Sequence, residues 1–222
     1  MEKWKIAVIV GLLACLPVYG YLQTRQNAAP EPGATPTSEP PAVIEKLIGQ
    51  PAVAWDIPAD YWANTPKPIT LEDLRGSVVL LEFWRAECPH CEKTAPFLER
   101  LKRDYGPKGL KIVAFQAPNV KNPASLEHRW NDVKARAVAW KINYPIAFDK
   151  GAKIFESYQC HLWPSFFLID RNGVIRQAIE GHTPPKEAKL MKSLNEAMGV
   201  PSAGQSAAAP ANPTANATVS NP

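Results

Sequence analysis

The stretch Val78-Val79-Leu80-Leu81-Glu82-Phe83-Trp84-Arg85-Ala86-Glu87-Cys88-Pro89-His90-Cys91 decides how the rest of the chain is read. Val78 to Trp84 is a short, almost wholly apolar run of β-branched and aromatic residues, which suits a strand buried on both faces. Cys88 follows after a short loop, and an amphipathic run then places Phe97, Leu98, Leu101 and Tyr105 on one face at helical spacing. Strand, loop, then Cys-x-x-Cys opening a helix is a redox geometry. Cys88 falls at the helix N-terminus, where unpaired N–H groups and the helix dipole favour an anion. A thiolate is stabilised there, and the thiolate is the reacting species. Cys91 lies one turn inside, near enough to close a disulfide.

Two other uses of the pair compete. A structural disulfide across so small a ring stabilises little, since the entropic effect grows with loop size. Structural zinc wants four ligands, usually as two such pairs, and no second Cys-x-x-Cys exists among the four cysteines. Haem attachment needs His directly after the second Cys, and that residue is Glu92.

Outward from this stretch the pattern alternates. Val53 to Trp55 is expected as an edge strand, and Leu71 to Leu74 as a helical turn. Lys111 to Gln116 reads as a second buried strand. Ala124 to Trp140 reads as a helix with Leu126, Trp130, Val133, Ala137 and Trp140 on one face. Pro145 to Phe148 is a short strand and Ala152 to Tyr158 a helix. Ser165 to Asp170 and Val174 to Ile179 form a hairpin across Arg171-Asn172-Gly173, a turn that needs positive φ. Pro185 to Met198 closes the domain as an amphipathic helix. This is an α/β chain: a central mixed sheet with helices on both faces and a site at the carboxyl end of the strands.

Several motifs in order carry a resemblance. Leu74-Arg75-Gly76-Ser77-Val78-Val79-Leu80, then Phe83-Trp84 and Cys88-Pro89-His90-Cys91, then Pro96, then Trp163-Pro164-Ser165-Phe166-Phe167-Leu168-Ile169-Asp170 resemble the thioredoxin superfamily. The likeness runs over residues 49 to 185 and is closest to the membrane-anchored TlpA/ResA-like proteins. It implies a thioredoxin-like fold with an extra βα unit, spanning Lys111 to Trp140, and thiol–disulfide oxidoreductase activity without cofactor or metal. Cys88 and Cys91 would exchange disulfides with protein thiols and with a membrane redox partner. Glu82, six residues before Cys88, would hold and return the proton of Cys91. Pro164 would follow a cis bond, and Trp84, Trp163 and Pro164 would line the place where a partner's chain binds. Thr94 stands where ResA-type relatives carry Glu, a departure from that subgroup.

Pro89 and His90, between the cysteines, are expected to tune the potential; a protonated His90 would favour the reduced form. Cys160 reads as a small buried thiol and His161 as a surface residue, while His128 and His182 show no partner in the sequence. Two other functions compete: a copper-binding Sco-like chaperone using Cys88, Cys91 and His182, and a thiol peroxidase. The first family normally has three residues between its cysteines, and in the second the resolving Cys rarely lies so close.

The remaining segments flank a domain of residues 43–198. Residues 1–22 carry Lys3 and Lys5 before the uncharged run Ile6 to Leu22, 17 residues long, which reads as a signal or an uncleaved membrane anchor with the body outside the cytoplasm. Cys15 offers lipidation as an alternative. Residues 23–42 form a Pro-rich linker and residues 199–222 an uncharged Ala/Pro/Asn-rich tail. The expected location is the periplasmic face of an inner membrane. The net charge of +4, without a basic cluster and interleaved aromatics, argues against nucleic acid.

Overall fold

In the computed structural model, residues 43–200 are described. The anchor expected at Ile6 to Leu22, Cys15, the linker and nearly all of the tail lie outside them. Among the described residues no helix is long and apolar enough to cross a membrane.

Six strands form one sheet in the order β1-β4-β3-β2-β5-β6. They are β1 (Trp62–Ala63), β2 (Val78–Trp84), β3 (Leu110–Gln116), β4 (Ile146–Phe148), β5 (Ser165–Ile169) and β6 (Ile175–Glu180). β2, β3 and β4 run parallel, while β1, β5 and β6 are antiparallel to their neighbours. The helices are α1 (Pro89–Tyr105), α2 (Trp130–Ala139), α3 (Lys153–Ser157) and α4 (Pro184–Met198).

β2 is central, and all seven of its residues are buried. Its alternation explains the two cores. Val78, Leu80 and Trp84 face Leu98 and Leu101 of α1, Val133 and Ala137 of α2, and Leu190 and Leu194 of α4. Val79, Leu81 and Phe83 face Ile44, Trp55, Trp62, Leu71 and, beside α3, Tyr158. With period-2 side chains, a strand apolar throughout must be covered twice. Glu82 interrupts the apolar run on the α1 side and is buried there.

Two expected elements differ. Val53 to Trp55 is not a strand: Trp55 turns into the core and its indole N–H donates to the Ile69 carbonyl at 2.7 Å. The edge of the sheet is Trp62–Ala63, paired with β4. The helix expected from Ala124 begins only at Trp130, after a separate 3₁₀ turn at Leu126–His128. Glu127 turns its carboxylate inward, accepting the Asn119 N–H at 2.9 Å, so this segment is tied to the preceding loop. The β5–β6 turn behaves as expected: Gly173 has φ +76°, the left-handed region where glycine has no Cβ penalty.

Candidate functional site

β2 ends at Trp84 and the chain turns over Arg85 to Glu87, with the Cys88 N–H donating to the Arg85 carbonyl at 3.1 Å. Cys88 is the N-cap of α1. Its backbone is extended, and its sulfur accepts the Cys91 N–H at 3.2 Å. Pro89 fits the first helical position, where the missing N–H costs nothing. The Cys88 sulfur lies 3.8 Å from the Trp163 carbonyl oxygen, to which it donates in its thiol form. The Trp163–Pro164 bond is cis, and the Pro164 carbonyl accepts the Gly181 N–H at 2.7 Å. Residues distant in sequence thus meet at the carboxyl end of the sheet.

The two thiols are made unequal. Cys88 is lowered from 9.0 to about 6. The Cys91 thiol contributes most, as a donor to the Cys88 sulfur; burial opposes it; the N–H groups of Cys91 and His90 and the charge of Arg85 add to it. Cys91 moves the other way. Burial pushes it far up, and proximity to Cys88 and to Glu82 pushes it further. One cysteine is therefore a thiolate at neutral pH and the other a thiol.

Glu82 lies in the sheet below them, 1% exposed. Burial raises its carboxyl from 4.5 to about 8, the hydrogen bond from the Tyr144 hydroxyl at 3.1 Å opposes this, and the charge of Cys88 adds to it. A carboxyl that titrates near neutrality beside a thiol held protonated can take up and return a proton at the operating pH. Tyr144, at the entry to β4, gave no signal in the sequence except its aromatic type.

Other expected residues are placed as follows. Trp84 is buried and packs on Trp140 at 5.6 Å between ring centroids. Trp163 is half-buried and stacks on Phe155 at 4.6 Å and 7°. Pro89 and His90 are exposed; the influence of His90 on Cys88 comes through its backbone N–H. Thr94 is buried and donates to the His90 carbonyl at 2.8 Å. Cys160 is buried, and burial raises its thiol. His182, expected without a partner, has Nε2 3.0 Å from a Glu187 carboxylate oxygen and its ring against Phe97 at 5.1 Å. His128 Nε2 lies 3.3 Å from the Asn119 carbonyl oxygen. Among the described residues no group of three or more His, Cys, Asp or Glu is arranged to hold a metal ion.

Sequence reading missed Arg85 and Glu127. Their only signal was Arg85 next to Trp84 in an otherwise apolar approach to the cysteines; Glu127 looked like one more polar residue on a helix.

This fold, with a cysteine pair at the start of α1 facing a cis proline, is that of the thioredoxin-like proteins. Residues 49–194 match the Redoxin family model, and the chain belongs to the Redoxin family. It is 33% identical over 140 residues to Protein DipZ of Mycobacterium tuberculosis, a match covering 61% of this chain and 20% of DipZ. It is 35% identical over 129 residues to the thiol-disulfide oxidoreductase ResA of Bacillus anthracis, covering 58% of this chain and 69% of ResA. Against a ResA of Bacillus cereus the match covers 61% of the relative, so the chain spans well under the full length of several of these relatives. Among solved structures, a Chlorobium tepidum protein described as a putative thiol:disulfide interchange protein DsbE superposes with a TM-score of 0.59 at 25% identity, over 68% of this chain and 98% of that one.

Proposed function

We propose that the chain is a thiol–disulfide oxidoreductase that exchanges disulfides with protein partners outside the cytoplasm, through Cys88-Pro89-His90-Cys91. The observation that carries this reading is the opposite displacement of the two thiols: Cys88 lowered to about 6, Cys91 raised by burial. The chain's kinship with ResA and DipZ supports the same reaction class.

In the reducing direction the Cys88 thiolate attacks one sulfur of a partner disulfide. An S–S bond forms to Cys88 and the partner's other sulfur leaves as a thiolate. In the mixed disulfide the Cys88 charge that helps hold the Glu82 proton is gone; ionised Glu82 takes the Cys91 proton, and Cys91 attacks the Cys88 sulfur. The Cys88–Cys91 disulfide forms, and the partner's second sulfur leaves as a thiolate. Two electrons have passed from the cysteine pair to the partner. The oxidising direction is the reverse, with Glu82 returning the proton. Trp163 lines the approach, its carbonyl within reach of the Cys88 sulfur where an extended partner would lie, whereas Trp84, expected there, is buried beneath the site against Trp140. Tethering through Ile6 to Leu22, with a membrane redox partner resetting the pair, completes the proposal.

Equilibration of the protein with glutathione buffers tests it. A reversible two-electron transition confined to Cys88 and Cys91 is expected; a pair that stays reduced or oxidised throughout the range would rule the reading out.

A further inference from the structure

Arg85 is in contact with the site from two sides. Its carbonyl accepts the Cys88 N–H at 3.1 Å. Its side chain is 23% exposed, and its Nε lies 3.0 Å from a carboxylate oxygen of Glu127. Glu127 is 1% exposed, and its other oxygen accepts the Asn119 N–H at 2.9 Å. The guanidinium carbon sits 4.8 Å from the centroid of the Trp163 ring, which is itself stacked on Phe155. Trp163 thus meets Arg85 with its ring and Cys88 with its carbonyl.

A buried ion pair is weak evidence for stability, because desolvation offsets its attraction. The Arg85 Nε is in ion-pair contact with Glu127 without hydrogen-bond alignment, and the Trp163 face on the other side restricts where its guanidinium can lie.

We propose that Arg85 is a positioning residue of the redox site: clamped by Glu127 and the Trp163 ring, it keeps a fixed positive charge beside Cys88 and, with Glu127, sets how oxidising the disulfide is. This rests on the exchange reading above. A cation near Cys88 stabilises its thiolate, hence the reduced form, hence a higher potential. Glu127 both locates the cation and partly neutralises it, and Glu87 adds a further negative charge near Glu127. Among the influences that lower Cys88, the Arg85 charge is the one supplied by a side-chain cation.

The two partners therefore carry opposite signs, which a purely structural role would not produce. Arg85→Met should raise the Cys88 pKa by about one pH unit and shift the glutathione equilibrium at about pH 7 about fivefold toward the disulfide, equivalent to about 20 mV more reducing. Arg85→Lys, which keeps the charge, should recover part of both. Glu127→Gln keeps an oxygen for Arg85 but loses the anion, and should lower the Cys88 pKa and make the disulfide more oxidising. Thiolate absorbance in the far ultraviolet against pH reads the first quantity, and glutathione equilibration the second. Should Arg85→Met fold poorly, Arg85→Lys and Glu127→Gln supply the same comparison. Unchanged values in Arg85→Met, or Arg85→Met and Glu127→Gln moving in the same direction, overturn the role of Arg85 while exchange in the parent protein persists. A parent protein that does not equilibrate with glutathione overturns the exchange reading, and this inference with it.

Discussion

Glu82→Gln keeps the shape of the side chain and an oxygen for the Tyr144 hydroxyl, and removes the proton-binding group. Burial places the Glu82 carboxyl at about 8 in the folded chain, against 4.5 ordinarily. At about 1.4 kcal/mol per pH unit, that difference is worth about 5 kcal/mol against ionised Glu82 in the folded state. The unfolded chain releases this proton near 4.5, whereas the folded chain holds it to about 8. Between those values the folded state binds more protons, so stability falls as pH rises. Below 4.5 the contribution of neutral Glu82 is fully present, and above about 8 it is gone. Glu82→Gln has nothing to titrate there. The unfolding free energy of the variant minus that of the parent should therefore grow with pH, by about 3 kcal/mol between about pH 4.5 and pH 7 and by about 5 in all. Cys88 works the other way. Its folded pKa is depressed to about 6, so it adds stability as pH rises above that value, but it is present in both proteins and largely cancels in the difference. Urea unfolding of the reduced proteins, followed by tryptophan fluorescence from about pH 5 to pH 8, measures it. A difference that stays flat with pH would show that Glu82 does not titrate near neutrality, the property on which its proton exchange with Cys91 rests.

The same Glu82→Gln change should slow disulfide exchange near neutral pH by about 10²-fold, the lower range for a lost acid–base group, with stopped-flow rates against a peptide disulfide as the check. Tyr144→Phe removes the donor that holds Glu82 down, so the pH at which exchange accelerates should move upward in the rate profile. Cys160→Ser should leave exchange nearly intact, and Cys160 in the native protein should alkylate far more slowly than Cys88, because burial keeps its thiol protonated; rapid labelling read by mass spectrometry would contradict this. The full chain should remain with the membrane fraction through Ile6 to Leu22, with the domain open to external protease; release by osmotic shock would refute the anchor, and retention that needs Cys15 would instead mean lipidation.

The central part of the fold was legible because its signals are local. β2 is apolar on both faces, and its buried period-2 pattern follows from Val78 to Trp84 alone. Cys88 as N-cap with Pro89 next follows from their order. What was not legible depends on contacts between distant residues. Glu127 sits within a stretch whose periodicity suits a helix, yet its carboxylate is drawn to Arg85 and Asn119, and the helix starts only at Trp130. Val53 to Trp55 has strand composition, but Trp55 fills the core under Phe115, at 5.0 Å between ring centroids, and the edge pairing goes to Trp62–Ala63. His182 had no partner by position, and gained Glu187 and Phe97 when α4 packed beside α1. At the site, His90 was the visible cation by sequence, whereas Arg85 was read only as part of the loop; the structure turns the Arg85 guanidinium onto Trp163 beside Cys88.

In the proposed exchange Cys88 is the attacking thiolate and Cys91 the resolving thiol. Cys91→Ser should trap a partner on Cys88, since nothing remains to release it. Incubating this variant with a peptide disulfide at about pH 7, above the lowered Cys88 pKa of about 6, and mapping the adduct by mass spectrometry tests the claim directly. One mixed disulfide per chain is expected, on Cys88, formed faster than with an ordinary cysteine because more of the thiol is ionised. An adduct on Cys160, or no adduct while the variant remains folded, would contradict it.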